Sequence, residues 1–155
     1  MVNITVPEDH RYTVLGTFAP DEVFPYLSNS RKSKSSRRRI YIDKDGVTWS
    51  VKMTSIRLWM FREKGLSCVA CGAKGVFLSL EKTRSLKDVS PHFNLYAVVD
   101  GKWIMMTKDH IVPASKCGSD SLRNLQPMCS VCNELKADGN LSPEQVATVR
   151  ESRKE

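Results

Sequence analysis

The segment TKDHIVP, residues 107–113, places an aspartate directly before a histidine at the end of an apolar run. Such a pair can do two kinds of chemistry. The carboxylate can bind a hard divalent cation, and the imidazole, whose ordinary pKa is about 6.5, can accept a proton near neutral pH. An isolated Asp-His pair is usually incidental. The significance of Asp109 and His110 therefore depends on the other polar residues that the chain brings to them.

Four of the five cysteines form two C-x-x-C pairs, Cys68/Cys71 and Cys129/Cys132. Two such pairs supply the four thiolates of a closed, tetrahedral, structural zinc site. Disulfides and a redox motif are the alternatives, but the N-terminus lacks the pattern of a secretion signal and neither pair lies in a thioredoxin-like βαβ context. The sequence therefore predicts structural zinc, with Cys117 as a single thiol outside the site.

Asn133 directly follows Cys132, so a metal bound at the cysteines would fix its position. If the helix that begins there packs beside the strand ending at His110, Asp109 and Asn133 can converge on one cation. Their oxygen ligands suit Mg²⁺ or Mn²⁺ and leave coordination sites for water and phosphate. Alternation along the strand would turn His110 away from Asp109, where it could take a proton from water.

Basic residues outnumber acidic ones by 24 to 17, which gives a formal net charge of +7. This excess favours a polyanionic partner such as nucleic acid. The segment RKSKSSRRR, residues 31–39, contains six basic residues and no acidic one. Its serines and its charge repulsion predict a flexible arm, although many such runs are only solvated segments. No apolar run approaches the roughly 20 residues that span a bilayer, so we expect a cytoplasmic protein without membrane contact.

Several elements are predicted to position these residues. Asp45-Gly46 lies between two β-rich runs and predicts a hairpin, and residues 54–65 predict a helix that leads to Cys68. Residues 75–83 predict a strand, and residues 93–111 predict a second hairpin that turns at Asp100-Gly101.

The remaining chain predicts an irregular loop after Pro113, a short strand at residues 122–128, and a helix from Ser130 that ends at Gly139. A last helix would begin with Ser142 as its cap and Gln145 completing a capping box. The first C-x-x-C pair precedes a glycine and the second enters a helix, an order that suits a treble-clef-like zinc fold.

The combined pattern C-x-x-C, KDHIVP and GSDSLRNLQPMCSVCNELK resembles the HNH endonucleases of the ββα-metal class, especially the small zinc-bearing versions common in phages and bacteria. The resemblance covers about residues 66–139. It implies an α+β fold with a ββα-metal nuclease core at residues 66–140, held together by the four-cysteine zinc site. An N-terminal extension at residues 1–65 would carry the basic arm, the hairpin and the lead-in helix, and a C-terminal helix would occupy residues 141–155.

The resemblance also implies a role for each matched residue. His110 would be the general base, and Asp109 and Asn133 would hold the catalytic Mg²⁺ or Mn²⁺. Asn124 would brace the loop after the histidine through hydrogen bonds to its backbone. Lys136 could contact the scissile phosphate or a neighbouring one.

Two features depart from the family pattern. The usual glycine pair in the loop after the histidine is Cys117-Gly118 in this chain, and the separation between the first C-x-x-C pair and Asp109 is long. Neither departure removes a residue that the resemblance places in the site.

The implied function is metal-dependent hydrolysis of DNA, with double-stranded DNA as the expected partner, in a bacterial cytoplasm and with a phage as a candidate source. The basic arm would contact phosphates through a set of six side chains: Arg31, Lys32, Lys34, Arg37, Arg38 and Arg39. The alternatives are a non-catalytic zinc-stabilised nucleic-acid-binding protein and an RNase that uses the same site. Asp109, His110 and Asn133 favour an enzyme, because a binding protein has no need of all three. The oligomeric state, including a homodimer, stays open.

Overall fold

The computed structural model describes residues 4–28, 37–84, 90–137 and 141–152. These residues form four α-helices and antiparallel strands, which confirms the α+β class. They divide into two compact units, one within Met1–Trp59 and Val76–Tyr96 and the other within Met60–Gly75 and Ala97–Glu155. The predicted domain limits at residues 65 and 140 stay predictions. Over the described residues, no helix has the length and apolar character that crossing a bilayer requires.

The first unit contains a sheet in which β1 (Tyr12–Phe18) pairs antiparallel with β4 (Gly75–Thr83), which in turn neighbours β5 (His92–Val99). β4 confirms the strand predicted at residues 75–83, whereas β1 was not predicted. After β1 the chain forms α1 (Pro20–Val23) and a 3₁₀ turn. Aromatic rings of Phe18, Tyr41 and Phe93 pack edge to face, with centroids 5.0 to 5.6 Å apart, and form part of the core.

The predicted hairpin around Asp45-Gly46 is confirmed as β2 (Arg38–Ile42) and β3 (Thr48–Lys52). Asp43 fixes its turn, since its carboxylate accepts hydrogen bonds from the backbone nitrogens of Asp45 and Val47 at 2.9 and 2.8 Å. The basic run, residues 31–39, is predicted to be a flexible arm throughout. This prediction is wrong for Arg38 and Arg39, which belong to β2 and pair with β3. Residues 31–36 lie outside the described residues.

The helix predicted to lead into the first cysteine pair is confirmed as α2 (Ile56–Lys64). Ser55 begins it, with its hydroxyl accepting a hydrogen bond from the backbone nitrogen of Leu58 at 3.4 Å. Gly65 ends it at φ +95°, a left-handed conformation that glycine adopts without strain. Met60 and Phe61 on this helix are fully buried, so α2 delivers the chain to Cys68 from a packed position.

The second unit is built on β6 (Lys102–His110), which follows β5 through the predicted Asp100-Gly101 turn and pairs antiparallel with β7 (Leu125–Cys129). The register places Asp109 opposite Gln126. The strand predicted from residue 122 begins only at Leu125, because residues 122–124 form a 3₁₀ turn instead.

Two helices complete the second unit. α3 (Ser130–Lys136) begins directly after β7 and contacts both strands, and α4 (Pro143–Ser152) contacts α3. The predicted capping box of α4 is present, since the backbone nitrogen of Ser142 donates to Gln145 Oε1 at 2.7 Å. The predicted end of α3 at Gly139 lies outside the described residues, and the helix as described ends at Lys136.

Candidate functional site

The two cysteine pairs come together in the second unit. Cys68 and Cys71 lie in a tight turn, in which the backbone nitrogen of Gly72 donates to the oxygen of Cys68 at 2.9 Å. Cys129 ends β7 and Cys132 lies in the first turn of α3. All four thiols are free, and their sulfur atoms lie within 4.8 Å of one another. The predicted four-cysteine cluster is therefore confirmed as a group that could bind one metal ion.

One sulfur–sulfur distance in the cluster matches that of a tetrahedral zinc site. Cys71 Sγ and Cys129 Sγ are 3.8 Å apart. Sulfur ligands about 2.3 Å from a tetrahedral zinc ion are separated by about 3.8 Å, so a zinc ion could lie among them without a change in this distance. Four protein ligands close the coordination shell, which is the arrangement of a structural site and not of a catalytic one.

One thiol of this cluster is made acidic by its neighbour. The hydrogen bond from the Cys129 thiol lowers the pKa of Cys68 to about 4, while donating that bond raises the pKa of Cys129. The guanidinium of Arg150 on α4 donates to Cys71 Sγ at 2.8 Å, to Cys132 Sγ at 3.0 Å and to Cys129 Sγ at 3.3 Å. Sequence reasoning missed Arg150, because its contact depends on how α4 packs and no spacing signal marks it.

Asp109, predicted as a ligand of the catalytic cation, lies near the end of β6 and is only 6% exposed. Its carboxylate accepts a hydrogen bond from Gln126 Nε2 at 2.7 Å. It also accepts from Lys136 Nζ, at 2.9 Å through Oδ1 and at 2.7 Å through Oδ2. The buried ammonium of Lys136 therefore neutralises Asp109, a contact that sequence reasoning did not foresee.

Asn133, the other predicted ligand, lies on α3 and donates through Nδ2 to Thr107 Oγ1 at 3.0 Å. Asp109 and Asn133 line the same polar cleft of about 210 Å³, together with His110 and Lys136. The structure thus brings the four predicted residues to one cleft. Within it, Asp109 and Asn133 contact different partners.

His110 is the last residue of β6. Its Nε2 atom lies 2.9 Å from Asp120 Oδ1, and Lys108 Nζ contacts the same oxygen. The hydrogen bond from Lys108, followed by that from His110, holds the pKa of the Asp120 carboxyl below its usual range. Asp120 is therefore an ionised partner that orients the imidazole. Sequence reasoning missed this residue, because an acidic residue in an irregular loop carries no spacing signal.

Asn124 closes the loop between β6 and β7. Its Oδ1 accepts from the backbone nitrogen of Val112 at 2.8 Å, and its Nδ2 donates to the oxygens of Val112 and Ser119 at 3.0 and 2.9 Å. These are backbone contacts of the kind predicted for this residue, and its part in catalysis stays a prediction. Because the closed loop carries Asp120, Asn124 also helps to position the partner of His110.

The same loop explains the sequence Cys117-Gly118. A Cβ atom on Gly118 would lie 1.8 Å from the backbone oxygen of Val112, so only glycine fits there. Cys117 has φ +60°, a conformation that glycine adopts more readily, and its side chain is exposed. The position at which the resemblance implies a first glycine is therefore left-handed in this chain.

The described part of the basic run lies in the first unit. Arg38 donates to Ser50 Oγ at 2.7 Å, and the guanidinium of Arg39 lies 3.1 Å from the centroid of the Tyr26 ring. Arg37 precedes β2, and its backbone oxygen accepts from Met53 at 2.7 Å. Arg31, Lys32 and Lys34 lie outside the described residues. Nucleic-acid binding by this run stays a prediction.

Comparison with known protein families finds a match within the second unit. The model of the family described as HNH endonuclease matches residues 100–139, the segment that contains β6, β7 and α3. This match confirms the predicted resemblance to the HNH family, and the chain carries an HNH endonuclease domain there. No curated protein and no solved structure matches the chain. The family implies nuclease activity in general, and therefore action on nucleic acid.

Proposed function

We propose that this protein is a metal-dependent HNH endonuclease that hydrolyses phosphodiester bonds of double-stranded DNA. One observation carries the proposal. Within the segment that matches the HNH family, His110 ends β6 in contact with Asp120 and lines a polar cleft together with Asp109 and Asn133. A structural role alone does not require an oriented histidine at the edge of such a cleft.

His110 is the general base in this proposal. Because Nε2 donates to the ionised Asp120, the imidazole proton resides on Nε2, and Nδ1 is the nitrogen that accepts a proton from the attacking water. The carboxylate of Asp120 then stabilises the imidazolium that forms. Asn124 contributes indirectly, since it holds the loop that carries Asp120.

Asp109 and Asn133 are the proposed ligands of the catalytic cation. Their oxygen atoms suit Mg²⁺ or Mn²⁺, whereas the four sulfur ligands of the cysteine cluster suit zinc. A bound Mg²⁺ or Mn²⁺ supplies stabilisation of the negative charge that develops on the phosphate oxygens. The two metals therefore have separate tasks, one in catalysis and one in holding β7, α3 and the Cys68 turn together.

The Asp109–Lys136 ion pair favours a second candidate function. A lysine that already neutralises the proposed ligand is also compatible with a non-catalytic, zinc-stabilised nucleic-acid-binding protein. Such a protein would keep the net charge of +7 and the cysteine cluster but would not need His110.

Cleavage of supercoiled plasmid DNA distinguishes these functions. We expect zinc-loaded protein to nick or linearise the plasmid in Mg²⁺ or Mn²⁺, and to leave it intact when both ions are omitted. A structured RNA and a gel-shift assay run in parallel. Binding of DNA without cleavage of either substrate would establish the binding protein instead, and preferential cleavage of the RNA would establish the RNase.

The basic run is proposed to supply affinity that does not depend on sequence. Replacing Arg31, Lys32 and Lys34 with glutamine should weaken DNA binding, and should reduce the slope of log K against log salt by up to about 0.9 per lost phosphate contact. Fluorescence anisotropy over a series of salt concentrations measures this slope. Lys44→Gln is the control, since Lys44 is an exposed lysine paired with Asp45 outside the run. An unchanged slope in the triple variant would show that Arg31, Lys32 and Lys34 contact no phosphate.

A further inference from the structure

The Lys136 ammonium lies in a cage of oxygen atoms. It contacts both carboxylate oxygens of Asp109 and donates to the backbone oxygen of His110 at 2.6 Å. An ammonium has three N–H donors, so these three oxygens account for all of them. The side chains of Lys136 and Asp109 are 5% and 7% exposed. The positive charge is thus held by hard oxygen atoms and largely shielded from water.

A buried carboxylate requires a cation. Removing one partner of a buried ion pair leaves an uncompensated charge and is strongly destabilising. Gln126 donates one neutral hydrogen bond to Asp109 and cannot supply that charge. In the structure the charge comes from Lys136, which also lines the cleft beside Asn133. A hard cation in the cage would therefore contact the same negatively charged carboxylate of Asp109 that the ammonium contacts.

We propose that Lys136 is a built-in counter-cation that competes with the catalytic divalent ion for Asp109. This inference rests on the proposed function, since it takes Asp109 as a ligand of that ion. Lys136 neutralises the buried carboxylate of Asp109 when the divalent ion is scarce. The Lys136 ammonium must move away from Asp109 before the divalent ion can bind there. The competition raises the divalent-ion concentration at which the site fills, so Lys136 sets a metal threshold for the enzyme.

A lysine at this place on α3 suits both a competing counter-cation and a permanent ion pair, and the two differ in their response to metal. A permanent structural ion pair would not respond to metal, whereas a competing ammonium couples metal binding to its own release. After its release from Asp109, Lys136 would still line the cleft. An ammonium there is a suitable partner for an anionic phosphate group, which is the contact that the sequence predicts for Lys136.

Mn²⁺ binding to zinc-replete protein tests the proposal without reference to cleavage. In Lys136→Met, which removes the charge and keeps most of the side-chain length, we expect Mn²⁺ affinity to rise about tenfold or more over the wild type. Lys136→Arg keeps a positive charge and should bind Mn²⁺ as weakly as the wild type. The affinities are measured by titration calorimetry and by the electron paramagnetic resonance signal of free Mn²⁺.

Thermal stability gives a second readout that a purely structural ion pair would not produce. In zinc-replete protein without Mn²⁺, the thermal midpoint of Lys136→Met should lie well below that of the wild type. Added Mn²⁺ should restore much of the lost stability. If Lys136→Met does not fold alone, it is refolded in Mn²⁺ and compared with Asp109→Asn/Lys136→Met. The double variant removes both charges together, so the zinc-replete protein should fold without Mn²⁺ and should bind no Mn²⁺ in the cleft.

The outcomes separate this inference from the proposed function. Equal Mn²⁺ affinity in the wild type and in Lys136→Met, together with metal-dependent cleavage by the wild type, would overturn only the competition. Absence of Mn²⁺ binding in both proteins, together with absence of cleavage, would overturn the proposed function as well. A higher affinity in Lys136→Met that disappears in the double variant would establish the competition, whether or not DNA is the substrate.

Discussion

Replacing Cys129 with serine is expected to unfold the second unit and to abolish zinc binding. Cys129 joins β7 to α3 and is fully buried, so the metal would tie both elements to the turn that carries Cys68. Apparent binding free energies of structural zinc sites are about 10–16 kcal/mol, and this energy is folding energy. The total stability of a domain is only about 5–15 kcal/mol, so the loss exceeds what the remaining core can supply.

Circular dichroism and zinc analysis check this expectation. The variant should show no cooperative thermal transition from the second unit and less than one zinc per chain. Hydrogen exchange should lose protection in β6 and β7. Cys117→Ser is the matched control, because Cys117 is exposed and lies outside the cluster. A Cys129→Ser protein that contains no zinc and melts like the wild type would rule out a structural zinc.

The cysteine cluster was predictable because its signal is local. A C-x-x-C spacing encodes the turn that presents two thiolates to one metal, and two such pairs define the site without knowledge of the fold. The helix at Ile56–Lys64 and the strand at Gly75–Thr83 were predictable for the same reason, since caps and β-rich runs are read within a few residues.

The features that sequence reasoning missed depend on contacts between distant residues. β1 is held by pairing with β4, more than 60 residues later, as in the register Tyr12↔Thr83. Asp120 meets His110 across a loop that Asn124 helps to close. The spacing of Lys136 from Asn133 places both on α3 but does not show that a buried carboxylate on β6 takes up the ammonium. Such partners become visible only when the strands and helices are packed.

The Asp109–Lys136 pair bears on both candidate functions. In a binding protein the pair would be a permanent part of the core. In a nuclease it would be the metal-free state of a site that fills when the cation arrives. The Mn²⁺ affinity of the Lys136 variants tests whether the ammonium competes with metal for Asp109, and cleavage by the wild type tests whether the protein is a nuclease. Together the two measurements distinguish the two functions.

His110→Ala is expected to lower the rate of plasmid cleavage by about 10²–10⁴-fold, the usual contribution of a general base. The imidazole is partly exposed and its nearest polar partner is the exposed carboxylate of Asp120, so its removal leaves the buried core unchanged. The thermal midpoint and the zinc content should therefore stay close to those of the wild type. Mn²⁺ affinity should also be retained, because His110 is not a proposed ligand. The measurement is the rate of nicking under single-turnover conditions.

Two further measurements separate a base from a merely structural histidine. Added imidazole should partly restore cleavage by His110→Ala, since the free base can occupy the vacated space and accept the same proton. Asp120→Asn keeps the shape of the side chain but removes the charge that orients His110 and stabilises its protonated form, so it should lower the rate by less than His110→Ala does. Combining the two changes should cost little more than His110→Ala alone, because Asp120 acts through the imidazole. Additive losses, or cleavage by His110→Ala within a few-fold of the wild type, would place the general base on another residue.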